Sequence, residues 1–176
     1  MPPPGNGATR TQGFWATHPQ LAQIAWDGGS KYGHTFPGVA ATPGIMDRMI
    51  CGQTINAGLT PAANQLMGGF WSSISALTTG KKRSALGQNR MQLLQQLLAA
   101  ELNASAFGSI PAGGASAFAQ SETALCGTNI TAIGNAQQQA ASFNSAGDSS
   151  TFTPGTSADS KNARVWADQK YWDVFN

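Results

Sequence analysis

SALGQNRMQLLQQLLAAELNASAFG, residues 84–108, is the stretch on which the fold turns. Leu86, Met91, Leu93, Leu94, Leu97, Leu98 and Leu102 recur at helical spacing and make a wide apolar stripe, with a serine before the run to cap it and a glycine after it to end it. The run predicts the central helix of a bundle. On a wheel of about 100° per residue, Glu101 falls between Leu97, Leu98 and Leu102, so a carboxylate stands inside the apolar stripe. Arg90 shares that arc, but it lies eleven residues earlier, about 16 Å along a straight helix and out of pairing range. Glu101 therefore needs a partner from another element, because a buried charge without one is too costly to keep. His18, at a helix start where a polar side chain can face inward, is the leading candidate. Asn103 falls opposite Leu94, which predicts an exposed side of the helix and a hydrogen bond to a neighbouring loop.

Working outward, Pro111-Ala112-Gly113-Gly114 breaks the chain, and Ala-rich patterns over residues 118–125 and 130–143 predict two more helices parted near Gly127. A Ser/Thr/Gly loop over residues 144–156 leads to a last helix with Ala163, Trp166, Ala167, Tyr171 and Val174 on one face. Toward the N-terminus, three Thr/His-Pro signals read as helix starts, because proline at the first helical position has its φ already set. Thr60-Pro61 opens a helix through Leu66, Phe70, Trp71 and Leu77 that closes at Gly80; Thr42-Pro43 opens a short one ending near Gly52; His18-Pro19 opens one ending near Trp26. Between the last two lies a long ordered loop with Gly28, Gly29, Gly33 and Gly38. The basic run Lys81-Lys82-Arg83 reads as a solvated loop between helices. Nothing alternates as a strand. The expectation is an all-α fold: an irregular single-domain helical bundle over residues 14–176, with long ordered loops and one disulfide, behind an extended tail over residues 1–13.

Composition narrows the function. The 176 residues are 41% hydrophobic but only 10% charged, with a net charge of +2, so solubility rests on neutral polar groups and there is too little positive charge to hold a phosphate backbone. Nucleic acid is excluded as a partner on that ground, and no apolar stretch is long enough for a membrane span. The Pro-rich opening over residues 1–7 reads as the tail left where a start Met replaces a signal peptide. Cys51 and Cys126 lie 75 positions apart with no second ligand pattern around either. An even count in a low-charge chain favours a disulfide, which would contribute about 3–5 kcal/mol, against the alternative of two buried thiols.

The side chains with chemistry to offer are few. The two histidines, His18 and His34, could join Glu101 or Asp27 in a His/His/carboxylate site for a divalent metal such as zinc, although the spacing matches no known ligand pattern. No nucleophile elbow, phosphate loop or calcium loop occurs. Of five tryptophans, Trp15, Trp26, Trp71, Trp166 and Trp172, the last lies off the best apolar face of its helix and is the surface candidate, while Trp15 is expected to be buried despite preceding a helix start. The triplets Asn103-Ala104-Ser105 and Asn129-Ile130-Thr131 match the glycosylation acceptor pattern, which also arises by chance.

Two stretches carry a family resemblance. TQGFWATHP, residues 11–19, resembles the TQGYWKTH-type motif near the start of a family of secreted or surface-anchored bacterial domains, and LLQQLLAAELNASAFG, residues 93–108, resembles that family's helix of the form ILAHQLIAAELN. Residues 163–176 are similar to its closing helix. Ala16 stands where the family usually has lysine, and Gln95-Gln96 where it has His-Gln, which removes any metal ligand the family places there. The resemblance implies an extracellular bacterial protein, often attached to larger surface or matrix proteins, and implies no particular activity. It adds Trp15, His18, Glu101 and Asn103 as the positions to test first.

Together these readings favour a non-enzymatic extracellular module for surface attachment, matrix or filament assembly, acting through protein or glycan contacts or through self-association; it requires an exposed apolar or aromatic patch. The alternative is a small metal-dependent or acid/base enzyme whose pocket joins His18 and Glu101. A carrier of apolar ligands would need a cavity between the helices.

Overall fold

The computed structural model describes residues 7–148 and 157–176; the first six residues of the Pro-rich opening, and residues 149–156 of the Ser/Thr/Gly loop, lie outside the described residues. In chain order the elements are α1 (Gln12–Ala16), α2 (Pro19–Asp27), a hairpin of β1 (Gly29–Lys31) and β2 (His34–Phe36), a 3-10 turn (Val39–Ala41), a hairpin of β3 (Met49–Ile50) and β4 (Gln53–Thr54), α3 (Gln65–Trp71), α4 (Ala85–Phe107), α5 (Ser116–Cys126), α6 (Ile130–Ala146), α7 (Ser160–Trp166) and a closing 3-10 turn (Lys170–Val174). The fold is mostly helical, and the two hairpins correct the all-α expectation.

The central helix forms where residues 84–108 predict it. Ser84 accepts a hydrogen bond from Gly87 N at one end, and Gly108 takes the left-handed conformation (φ 69°) that closes the other. α6 packs along α4, and α1, α2, α3 and α5 cover its other sides. Every residue of 97–107 is consequently buried, polar ones included. A single-face wheel reading fails for such a helix, because no side of its C-terminal half meets water. Asn103, expected on an exposed face, is fully buried.

The N-terminal half departs further from the sequence expectation. The long loop after α2 is a hairpin, and the expected helix after Thr42-Pro43 is a turn followed by the second hairpin. Each hairpin closes through two residues of positive φ, Tyr32-Gly33 (55° and 73°) and Cys51-Gly52 (52° and 75°), the conformation that matches strand twist. A helix from Thr42 is further blocked at Gly44, where φ is 88° and an added Cβ would stand 2.2 Å from Ala115 O, so the loop must touch the backbone at the start of α5. α3 starts at Gln65, four residues after Pro61 and behind the cap Asn64, whose Oδ1 accepts from Met67 N at 2.7 Å, and it ends at Trp71 rather than Gly80. The closing helix stops at Trp166, and the chain then turns into the 3-10 segment.

Two further expectations are corrected by what the segments touch. The N-terminal stretch is not an extended tail up to residue 13: Thr9 is buried and paired with Gly147, and α1 begins at Gln12. Arg83 of the basic run is 2% exposed; its guanidinium donates to Ser73 O, Trp172 O and Phe175 O and lies 3.9 Å from Asp173, pinning the C-terminal turn to the chain before α4. Cys51 and Cys126 form a disulfide with a Cα separation of 5.4 Å, tying the second hairpin to the end of α5 and setting aside the two-thiol alternative.

Candidate functional site

Two buried polar centres flank α4. The first is built on Asn103, whose Oδ1 accepts from Trp15 Nε1 at 3.0 Å and Arg10 N at 2.8 Å, and whose Nδ2 donates to Arg10 O at 2.8 Å and Asn144 Oδ1 at 2.9 Å. Asn144 passes the network on to Gln96, and Thr9 Oγ1 donates to Asn144 O. The side chain thus makes four hydrogen bonds to four groups of α1, α6 and the N-terminal segment. The two sequence motifs that carry the resemblance meet here, and the contact is one that orders the fold. In the folded chain the Asn103 amide cannot accept a glycan, whereas Asn129 is exposed.

The second centre is Glu101, 1% exposed, whose partner is another carboxyl, Glu122 of α5. His18 is not its partner. Burial comes first in raising the Glu101 pKa well above the carboxylate range, and the Glu122 charge, the hydrogen bond between the two and the Asp47 charge push the same way. Glu122 is half-buried and also raised, chiefly by burial. Among the described residues Glu101 Oε2 and Glu122 Oε1 find no hydrogen-bond partner. Glu122 escaped the sequence reading, although it is the sole charged residue of α5, and an acid isolated in an Ala-rich pattern is the signal that could have found it.

His18 sits at the start of α2 without capping it. Its Nδ1 lies 2.7 Å from Phe14 O, so the neutral ring donates from that nitrogen, and the ring stacks on Phe14 with centroids 3.9 Å apart. Burial lowers its pKa, the bond to Phe14 works against that, and the nearby Arg10 charge lowers it further. His34 stands on β2 beside the hairpin turn, and Asp27 pairs with Arg48 at 3.2 Å. The structure therefore does not assemble His18, His34 and Glu101: among the described residues no group of three or more His, Cys, Asp or Glu side chains is placed to hold a metal ion. Trp15 is buried as expected. Trp172, the surface candidate, is buried as well and donates to Gln65 O at 2.7 Å, because its 3-10 turn folds back on α3 and α4's N-terminal turn.

What the surface offers is a cleft of about 750 Å³ between α4, α5 and α6, lined also by residues 110–112 and by Gly7 and Thr9 of the N-terminal segment. It exists because small residues face one another there, Ala100, Ala117 and Ala140, and leave room that larger side chains would fill. Phe118 and Phe143 supply apolar wall, Ile110 lines it while 57% exposed, and the amides of Asn135, Gln138 and Gln139 line it as well. None of the described lining residues is charged. Sequence reading missed the cleft, since its alanines look like ordinary helix formers. No helix among the described residues is long and apolar enough to cross a membrane. Comparison of the chain with protein-family models, with curated proteins and with solved structures finds no match in any of the three.

Proposed function

We propose that this chain is an extracellular, non-enzymatic module that holds a second polypeptide by an uncharged, apolar segment lying in the α4–α5–α6 cleft. The cleft is the observation that carries the reading: it is open and apolar, its amides suit the peptide groups of a bound strand, and its described lining offers no charge to pair with a charged ligand. The disulfide is compatible with an exported protein, and the motif resemblance favours a bacterial surface or matrix setting. The enzymatic alternative loses its main support, because His18 and Glu101 engage different partners and Glu101 is closed to solvent.

The test is an NMR titration of isotope-labelled protein with uncharged apolar peptides and, separately, with neutral oligosaccharides, alongside sedimentation to read self-association. Peptide-induced shifts at Phe118, Phe143 and Ile110 that vanish in Ala117→Trp, which fills the cleft, support the reading. Shifts produced by oligosaccharide alone would replace the polypeptide with a glycan, and cleft resonances unmoved by any of these would overturn it.

A further inference from the structure

The contact between α4 and α5 holds two acids and no base. α5 carries no charge other than Glu122; α6, which packs on both helices, carries none, nor do α1, α3 or the turn Val39–Ala41. Asp27 of α2 is committed to Arg48, and Arg90, the one cation of α4, donates to Gly127 O. The third group acting on the pair is Asp47, of the same sign, from the loop that Gly44 seats against Ala115. An ionised carboxylate only accepts hydrogen bonds, so Glu101 and Glu122 can bond to each other only through a proton. Glu101 Oε2 and Glu122 Oε1 have no hydrogen-bond partner among the described residues, so neither atom is stabilised by one at this contact.

The geometry points to a proton-operated clamp: one proton shared by Glu101 and Glu122 holds the middle of α5 against α4, and its loss sets two like charges against each other in a buried contact and releases α5. Release is confined to the turns before Cys126, because that end is bonded to Cys51. Ala117, Phe118 and Ser121 of α5 form one wall of the cleft, so the same proton sets the width of the cleft. This last consequence rests on the cleft being a binding site; the clamp itself does not.

The sign of the effect follows from the raised carboxyl pKa in the folded chain. Stability is complete below the unfolded-state value and is lost as pH rises through the folded-state value. The experiment measures thermal and urea unfolding, and amide-exchange protection corrected for intrinsic rates, from pH 5 to 8.5 with the disulfide intact. Wild type should lose up to about tenfold in folding equilibrium constant per pH unit on the alkaline side, with protection falling in α5 while the middle of α4 keeps its own. Glu101→Gln donates to Glu122 without titrating and should flatten both profiles; Glu122→Gln removes the like charge but leaves Glu101 buried, so it should reduce the slope and keep α5 protected to higher pH, and it stands in if the first variant fails to fold. An alkaline slope common to wild type and the variants, or α5 protection indifferent to pH, overturns the clamp. Peptide titration of the cleft at pH 5 is read separately, so an absent ligand response beside a present slope counts against the binding reading alone.

Discussion

Asn103 and Glu101 are two residues apart on one helix, about 200° around it, and both are buried, yet they meet opposite fates. Asn103 faces the N-terminal segment and α6, where each of its hydrogen-bonding atoms finds complementary partners. Glu101 faces α5 and finds only another acid. Burial is therefore a poor guide to what a polar group contributes. The satisfied side chain fixes how three segments meet, whereas the under-satisfied pair makes its contact depend on the solution.

The comparison can be broken most sharply at Asn103. Asn103→Ala leaves Trp15 Nε1, the Arg10 backbone and Asn144 without their shared partner, and should cost about 4–5 kcal/mol in urea unfolding; a loss below about 1 kcal/mol would mean that the network is dispensable. On the other side of α4 the disulfide limits how far α5 can depart. Its reduction should cost about 4 kcal/mol by the chain-entropy model, read as the shift in urea midpoint with and without reductant. Glu101→Gln at pH 5 should change stability by less than about 1 kcal/mol, because the amide keeps the hydrogen bond that the shared proton makes there. The smallest effect belongs to His18. Its lowered pKa means that the unfolded chain takes up a proton first, so stability should decline as pH falls through the ordinary histidine range, the reverse of the Glu101 limb, and His18→Gln should remove that decline in acid thermal melts.

How much of this was legible depended on the range of the interactions. The limits of α4 follow from one cap, one glycine and a run of leucines, all local, and α5 and α6 emerge from the same kind of pattern. Thr42-Pro43 carried an equally good local start signal and made no helix, because Gly44 is held against Ala115 by a contact more than seventy residues away in sequence. Neither Tyr32-Gly33 nor Cys51-Gly52 carries the Asn-Gly or Asp-Gly signature of a two-residue hairpin turn, and the strands beside them have two or three residues, too few for alternation to register. In the candidate site, Glu101 stood out because it interrupts a stripe. Its partner did not, since no local pattern states which helix will cover that stripe.

By itself the sequence determined the helical character, the central helix and its two ends, the disulfide as a favoured pairing, and an acid placed where water would not reach it. These rest on propensity, capping and periodicity within a few turns of chain. Only the tertiary structure decided that Asn103 is buried and satisfied, that Arg83 and Trp172 belong to the interior, that the acid facing Glu101 is Glu122 and that facing alanines leave a cleft. Each of those depends on which elements pack together, and in this chain the contacts that decide it join residues tens of positions apart.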